Sequence, residues 1–301
     1  DVKTIDGGTI TDMTGGLVTT LKTGEIKTMN GGNVLSMIGG LIRDMTNGIV
    51  ASFSNGEIRK LNGGTVTSMT GGNITNMVTG EVTTMTNGVI ASLNGGDVKT
   101  LNGGRITAMS GGKVTDMLSG EITTMTDGTV AALKGGDIKT LNGGNVIAMS
   151  GGKINQMNNG TVASLTNGEI VTVDGGTVTS MTGGLISNLN QGGTVTTFDG
   201  GIIDVFYKGD IGDWISGQIN KFNAGNIGTM YDGNLIVVFN DGTIGSMVGG
   251  EIGTMNGGIV GSNSGGLIGT LAGGELTLLN GGTVTSMTGG KLGTMSSGTL
   301  G

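Results

Sequence analysis

The sequence predicts an all-β fold, a β-helix or β-solenoid built from octapeptide repeats. Three observations predict it. Glycine falls on every eighth position from Gly8 to Gly184 without a miss. Val or Ile stands two places after each of those glycines, as at Ile10, Val18 and Ile26, and Met or Leu usually follows three places later, as at Met13, Leu21 and Met29. Proline is absent from all 301 residues, as suits an unbroken hydrogen-bond ladder, because Pro has no N–H to donate. A repeat this strict puts every octad in the same environment along one axis.

Each part of the octad has a physical reason. Val, Ile and Thr suit strands, and the Gly-Gly, Asn-Gly and Asp-Gly pairs signal turns. Eight residues with a glycine turn each time are too few for a helical repeat. The two apolar positions lie three apart, which breaks simple alternation. Of the residues between them, one is often charged (Lys27, Arg43, Arg59, Lys99, Lys139) and the other is small or polar. Both must face water, so the strand bends between two inward anchors. Glycine then supplies the positive φ of the corner.

The register slips by one residue twice, near Gln191 and between Phe239 and Asp241, and the octads resume after each slip. Three sections follow: a regular stretch over 1–190, an aromatic-rich and register-shifted stretch over 191–241, and a regular stretch over 242–301. The slips read as bulges or loosened corners in one continuous rod. A longer copy pattern lies above the octad. Residues 63–102 and 103–142 align over five octads, GGTVTSMTGGNITNMVTGEVTTMTNGVIASLNGGDVKTLN against GGRITAMSGGKVTDMLSGEITTMTDGTVAALKGGDIKTLN. Five is a multiple of neither two nor three. Such a duplication moves octads between faces, so the octads are expected to be interchangeable and all faces equivalent.

Two windings satisfy this pattern: a single-chain solenoid with two or three octads per coil, or three chains wound round one another. With strands about 4.8 Å apart, roughly 37 octads give a rod of about 180 Å for the wound trimer. The single chain gives about 90 Å at two octads per coil, or about 60 Å at three. The chain resembles the octapeptide-repeat triple-stranded β-helices of bacteriophage cell-puncturing needles, tail spikes and tail-fibre shafts, in period and composition along its whole length. In the needle type the glycine follows the valine by two positions, whereas here it precedes it, as in Gly64-Thr65-Val66. The resemblance implies an intertwined parallel homotrimer.

Composition removes several function classes. With no Cys there are no disulfides or thiolate metal sites, and with no His the commonest general base and metal ligand are missing. A net charge of −7 disfavours nucleic acid. No apolar run approaches the roughly 18 residues of a membrane span, and Leu235-Ile236-Val237-Val238-Phe239 falls far short. The chain starts at Asp1 and stops inside an octad at Gly301, which reads as a shaft segment or processed product of something longer.

The aromatics gather in one section. Phe198, Phe206, Tyr207, Trp214, Phe222, Tyr231 and Phe239 leave only Phe53 elsewhere, and Phe198, Phe206, Trp214 and Phe222 take the Met/Leu slot of successive octads. A widened core is the favoured reading. The sharper alternative is a glycan-binding platform, with Tyr207, Trp214 and Tyr231 stacking on sugar rings and Asp204, Asp210 and Asp213 of the same stretch accepting from hydroxyls. Glycoside hydrolysis needs two carboxyl groups held about 5 to 9.5 Å apart. No pattern here builds a pocket to tune them, so no catalytic residue is assigned. Gly95-Gly96-Asp97 and Gly135-Gly136-Asp137 suggest calcium-binding rolls, but those need an acidic residue in nearly every turn. No metal or cofactor is expected. The Thr-x-Thr triplets, such as Thr65 and Thr67, express β propensity, and the methionines fill core gaps.

The expected function is mechanical rather than enzymatic: the shaft of a phage tail fibre, spike or needle, in a virion tail or outside a cell. Its expected partners are its own copies in a homotrimer, other tail or baseplate proteins and a host surface glycan, with no nucleic acid and no membrane span. The alternative is a monomeric solenoid stalk of a bacterial surface adhesin, with a glycan-binding section at about 198–239.

Overall fold

The computed structural model describes all of residues 1–301, and every regular element in it is a β-strand. Pairing is parallel, and in the regular coils a strand residue meets the one sixteen places on: Val2 faces Val18, Ile10 faces Ile26 and Leu41 faces Glu57. One coil therefore takes two octads, and the ladder closes within a single chain. Of the windings open to the sequence, this is the two-octad solenoid.

The bend inferred from the anchor spacing is present. In Leu17–Leu21 the anchors Val18 and Leu21 are buried, while Thr19 and Thr20 between them face outward or lie half-buried. Corners form where a positive φ is needed, as at Gly48 (φ 96°). A Cβ there would stand 2.6 Å from the Gly32 carbonyl oxygen of the coil before it. The Asn47 side-chain Oδ1 accepts the Gly48 N–H at 2.8 Å, and Asp127 does the same for Gly128 at 2.7 Å. That bond explains why Asn-Gly and Asp-Gly recur at corners.

The chain forms two compact units, residues 1–155 and 156–301. The first holds between nine and ten coils, which at about 4.8 Å each extend about 45 Å along its axis. Its anchors from Ile26 to Ile154 are sealed from solvent (0% exposed). Successive octads alternate between two ladders, and the ladders differ. One stacks Val on Val, as in Val34, Val50 and Val66; the other stacks Ile on Ile, as in Ile26, Ile42 and Ile58. This overturns the expected equivalence of faces. In the five-octad copy the first anchors exchange identity, each Val of 63–102 for an Ile of 103–142 and each Ile for a Val: Val66 with Ile106, Ile74 with Val114. The shift of face came with an exchange of side chain at each anchor. Each layer thereby keeps one Val and one Ile, so core volume stays constant, and a surplus methylene in a close-packed layer costs on the order of 1 kcal/mol or more.

The second unit contains both slips. Gly176 pairs with Gly193, seventeen residues on, because one residue is inserted in the turn where Gly193 N–H bonds to the Asn190 carbonyl at 3.1 Å. The second insertion lies earlier than the glycine spacing suggests. Met230 and Ile236 bracket it, the Asn234 N–H bonds to the Tyr231 carbonyl at 3.3 Å, and Ile219 pairs with Ile236. Asn234, buried at 2% exposure, takes the corner slot that glycine fills elsewhere. The glycine series therefore marks the slip about one octad late.

Outside, ion pairs link successive coils: Lys22 to Asp6 at 2.9 Å, Lys99 to Glu81 at 3.4 Å, Lys291 to Glu275 at 3.3 Å. All are open to solvent, so each contributes little. The Lys22 ammonium, hydrogen-bonded to Asp6, holds that carboxyl below its ordinary value.

Candidate functional site: an open rung in the second unit

The ladder of the second unit is interrupted at one place. Residues 194–198 pair with 210–214, and Asn226–Met230 pairs with Thr243–Met247. Between 210–214 and Asn226–Met230, where the sixteen-residue rule calls for a rung, no pairing forms, and their Cα atoms stand for the most part more than 8 Å apart. The gap is a cleft of about 680 Å³ whose walls include Gly212, Asp213, Trp214, Gly228 and Tyr231.

Core volume explains the opening. From Ile203 to Ile252 the Val/Ile alternation lapses, and seven successive anchors are Ile. The second slot enlarges in the same stretch. Phe206 and Phe222 stack at 4.7 Å between ring centroids, and Phe198 and Trp214 at 5.8 Å and 17°. The layer holding Ile211, Trp214, Ile219 and Phe222 is therefore the bulkiest. It meets Ile227 and Met230 in the next coil, and the smaller layer cannot span it. Ile211 is left half-buried, Ile227 is 6% exposed and Trp214 4%, where the anchors from Ile26 to Phe206 are sealed.

The local polar groups record the same misfit. In regular coils the carbonyl of the second anchor accepts the N–H that follows the next coil's anchor, as Met37 accepts from Ser54 at 2.9 Å. Here the Trp214 carbonyl accepts instead from the Asn234 side-chain Nδ2 at 3.1 Å. The Trp214 indole N–H and the Asn234 Oδ1 are buried without a partner.

The sequence-derived candidates separate. Asp213, Trp214 and Tyr231 line the cleft, and Asp210 begins the strand at its edge. Tyr207 is 51% exposed and is not among the lining residues. Asp204 stands on the other ladder, accepting from Asn220 Nδ2 at 2.8 Å. Trp214 is only 4% exposed with Phe198 stacked on it, so Tyr231, at 53%, is the more exposed aromatic of the cleft. Sequence reasoning missed Asp232 and Gly228 in the lining, and missed the gap itself. The lapse in alternation was the available signal. No protein-family model, curated protein or solved structure matches the chain.

Proposed function

We propose that this chain is a structural spacer, the shaft of a phage tail fibre, spike or needle, working in a virion tail or at a cell exterior and carrying no catalysis. The observation that supports this reading is the parallel ladder, unbroken through the first unit and broken at a single rung in the second, whose Val/Ile and Met/Leu columns resist shear while the backbone bonds lie along the axis. In this reading the chain joins other tail or baseplate proteins and holds a receptor-binding part away from its base. The homotrimer belongs to the same reading. An intertwined trimer makes its rungs between chains, whereas these rungs lie sixteen residues apart in one chain. Absolute mass in solution separates the two. Three chains of 29.8 kDa, about 90 kDa, support the phage-type trimer; one chain removes it and leaves a single-chain stalk.

The cleft favours a second reading, the stalk of a surface adhesin with a glycan-binding section over 198–239. Tyr231 offers an open ring, and Asp213 and Asp232 offer acceptors. The burial of Trp214 weakens this reading. Glycan binding lost in Tyr231→Ala, with the fold intact, is its expected signature.

A further inference from the structure

We propose that the open rung is a docking slot for an extended, basic polypeptide segment, which enters as a strand parallel to 210–214 and Asn226–Met230 and pairs with both. The inference is independent of the shaft reading, which the solution mass tests separately.

Three observations carry it. First, the cleft is bounded by two strand edges rather than by side-chain walls alone. Each strand is paired on its far side, 210–214 to 194–198 and Asn226–Met230 to Thr243–Met247, and unpaired toward the gap. An added strand needs its two neighbours about 9.6 Å apart, twice the ladder spacing, and these segments stand mostly beyond 8 Å. Facing backbone edges select an extended peptide over a sugar, because main-chain pairing supplies the affinity in strand addition.

Second, polar and apolar groups are set for such a strand. Ile211 and Ile227 leave an apolar floor where an anchor side chain would lie, and the Trp214 indole N–H is buried without a partner. At Gly228 a Cβ would meet nothing within 4 Å, whereas at Gly245, one coil on, it would stand 2.7 Å from the Gly228 carbonyl oxygen. The space above Gly228 is left by the unpaired rung on this ladder alone, since the other ladder pairs through the same coils.

Third, the charge is one-sided. Asp213 and Asp232 line the cleft, Asp210 starts its edge strand, and no Lys or Arg lies among the lining residues. Elsewhere many carboxylates pair with a cation of a neighbouring coil, as Asp6 does with Lys22. None of these three forms an ion pair, so the complementary segment carries Lys or Arg beside its apolar anchors.

Trp214 is the only tryptophan, so its fluorescence reports on the cleft of the full chain. The probe is the peptide TGKIKTMTNG, an octad of this chain's type with lysines beside the first anchor. Saturable change in emission is expected, together with new amide-exchange protection in 210–214 and Asn226–Met230. Binding should weaken at least about tenfold for TGKPKTMTNG, which removes an N–H, and for the acidic TGEIETMTNG. Gly228→Val adds its branch where a Cβ meets nothing within 4 Å and should abolish binding with an unchanged melting profile; Asp213→Asn should weaken it and flatten its salt dependence. Equal response to all three peptides, or to none, overturns the proposal. So does binding of a neutral oligosaccharide, a β-1,4-linked N-acetylglucosamine hexamer, without binding of the basic peptide.

Discussion

Gly48 and Gly228 occupy different kinds of position, and substitution separates them. Gly48 has a φ of 96° and lies under the Gly32 carbonyl, so Gly48→Ala combines left-handed strain with a clash and should cost about 1–3 kcal/mol. Gly228 lies in a strand without a positive φ and has open space around it. Gly228→Ala should therefore leave the denaturation midpoint within about 0.5 kcal/mol of the parent or raise it slightly. Equal losses at both would mean that corner geometry is not what the octad glycines supply. Asn263 is the other telling residue, a polar side chain sealed in the Met/Leu slot. Its Oδ1 accepts the Gly266 N–H at 2.8 Å and its Nδ2 donates to the Gly266 carbonyl at 3.0 Å. Asn263→Ala strips both bonds from a buried corner and should cost about 1–3 kcal/mol. A neutral result in equilibrium unfolding would show that water replaces them.

Among the strands, the question is why one rung fails. Residues 210–214 and Asn226–Met230 keep the sixteen-residue spacing, so register is not the cause. Layer volume is. Trp214→Met restores the usual second anchor and relieves the bulkiest layer, at the cost of the stack with Phe198. The expected outcome is a closed rung, seen as slower amide exchange in Asn226–Met230 and loss of peptide binding at the cleft. Unchanged exchange would place the cause in the insertion between Met230 and Ile236 instead. The aromatic ladder of Phe206, Phe222 and Phe239 lies on the opposite side of the coil, where pairing continues. A single phenylalanine ring does not break pairing, since Phe239 still pairs with Met255 and Phe53 with Met69.

For the whole molecule, a stack in which each coil touches only its neighbours should unfold as coupled layers rather than as one globule. Val114→Pro in the first unit removes a ladder donor from a sealed position. It should split or broaden the melting transition, since coils on either side lose their shared rung. A melting profile identical to the parent would contradict the ladder.

Much of this was readable before any coordinates. The eight-residue glycine series, the absence of proline and the two anchors three apart specify β-strands, corners and the inward columns, because those demands are local and repeat at every octad. The aromatic section was legible as a widened core for the same reason: Phe198, Phe206, Trp214 and Phe222 occupy one slot. The number of octads per coil was written as the alternation of Val with Ile, but it acquires meaning only when Val34 is seen to stack on Val50 and Ile26 on Ile42. The open rung at Trp214 was decided by tertiary structure alone. Whether two strands pair depends on the summed volume of four side chains from two octads against four from the next coil, and no single octad carries that sum.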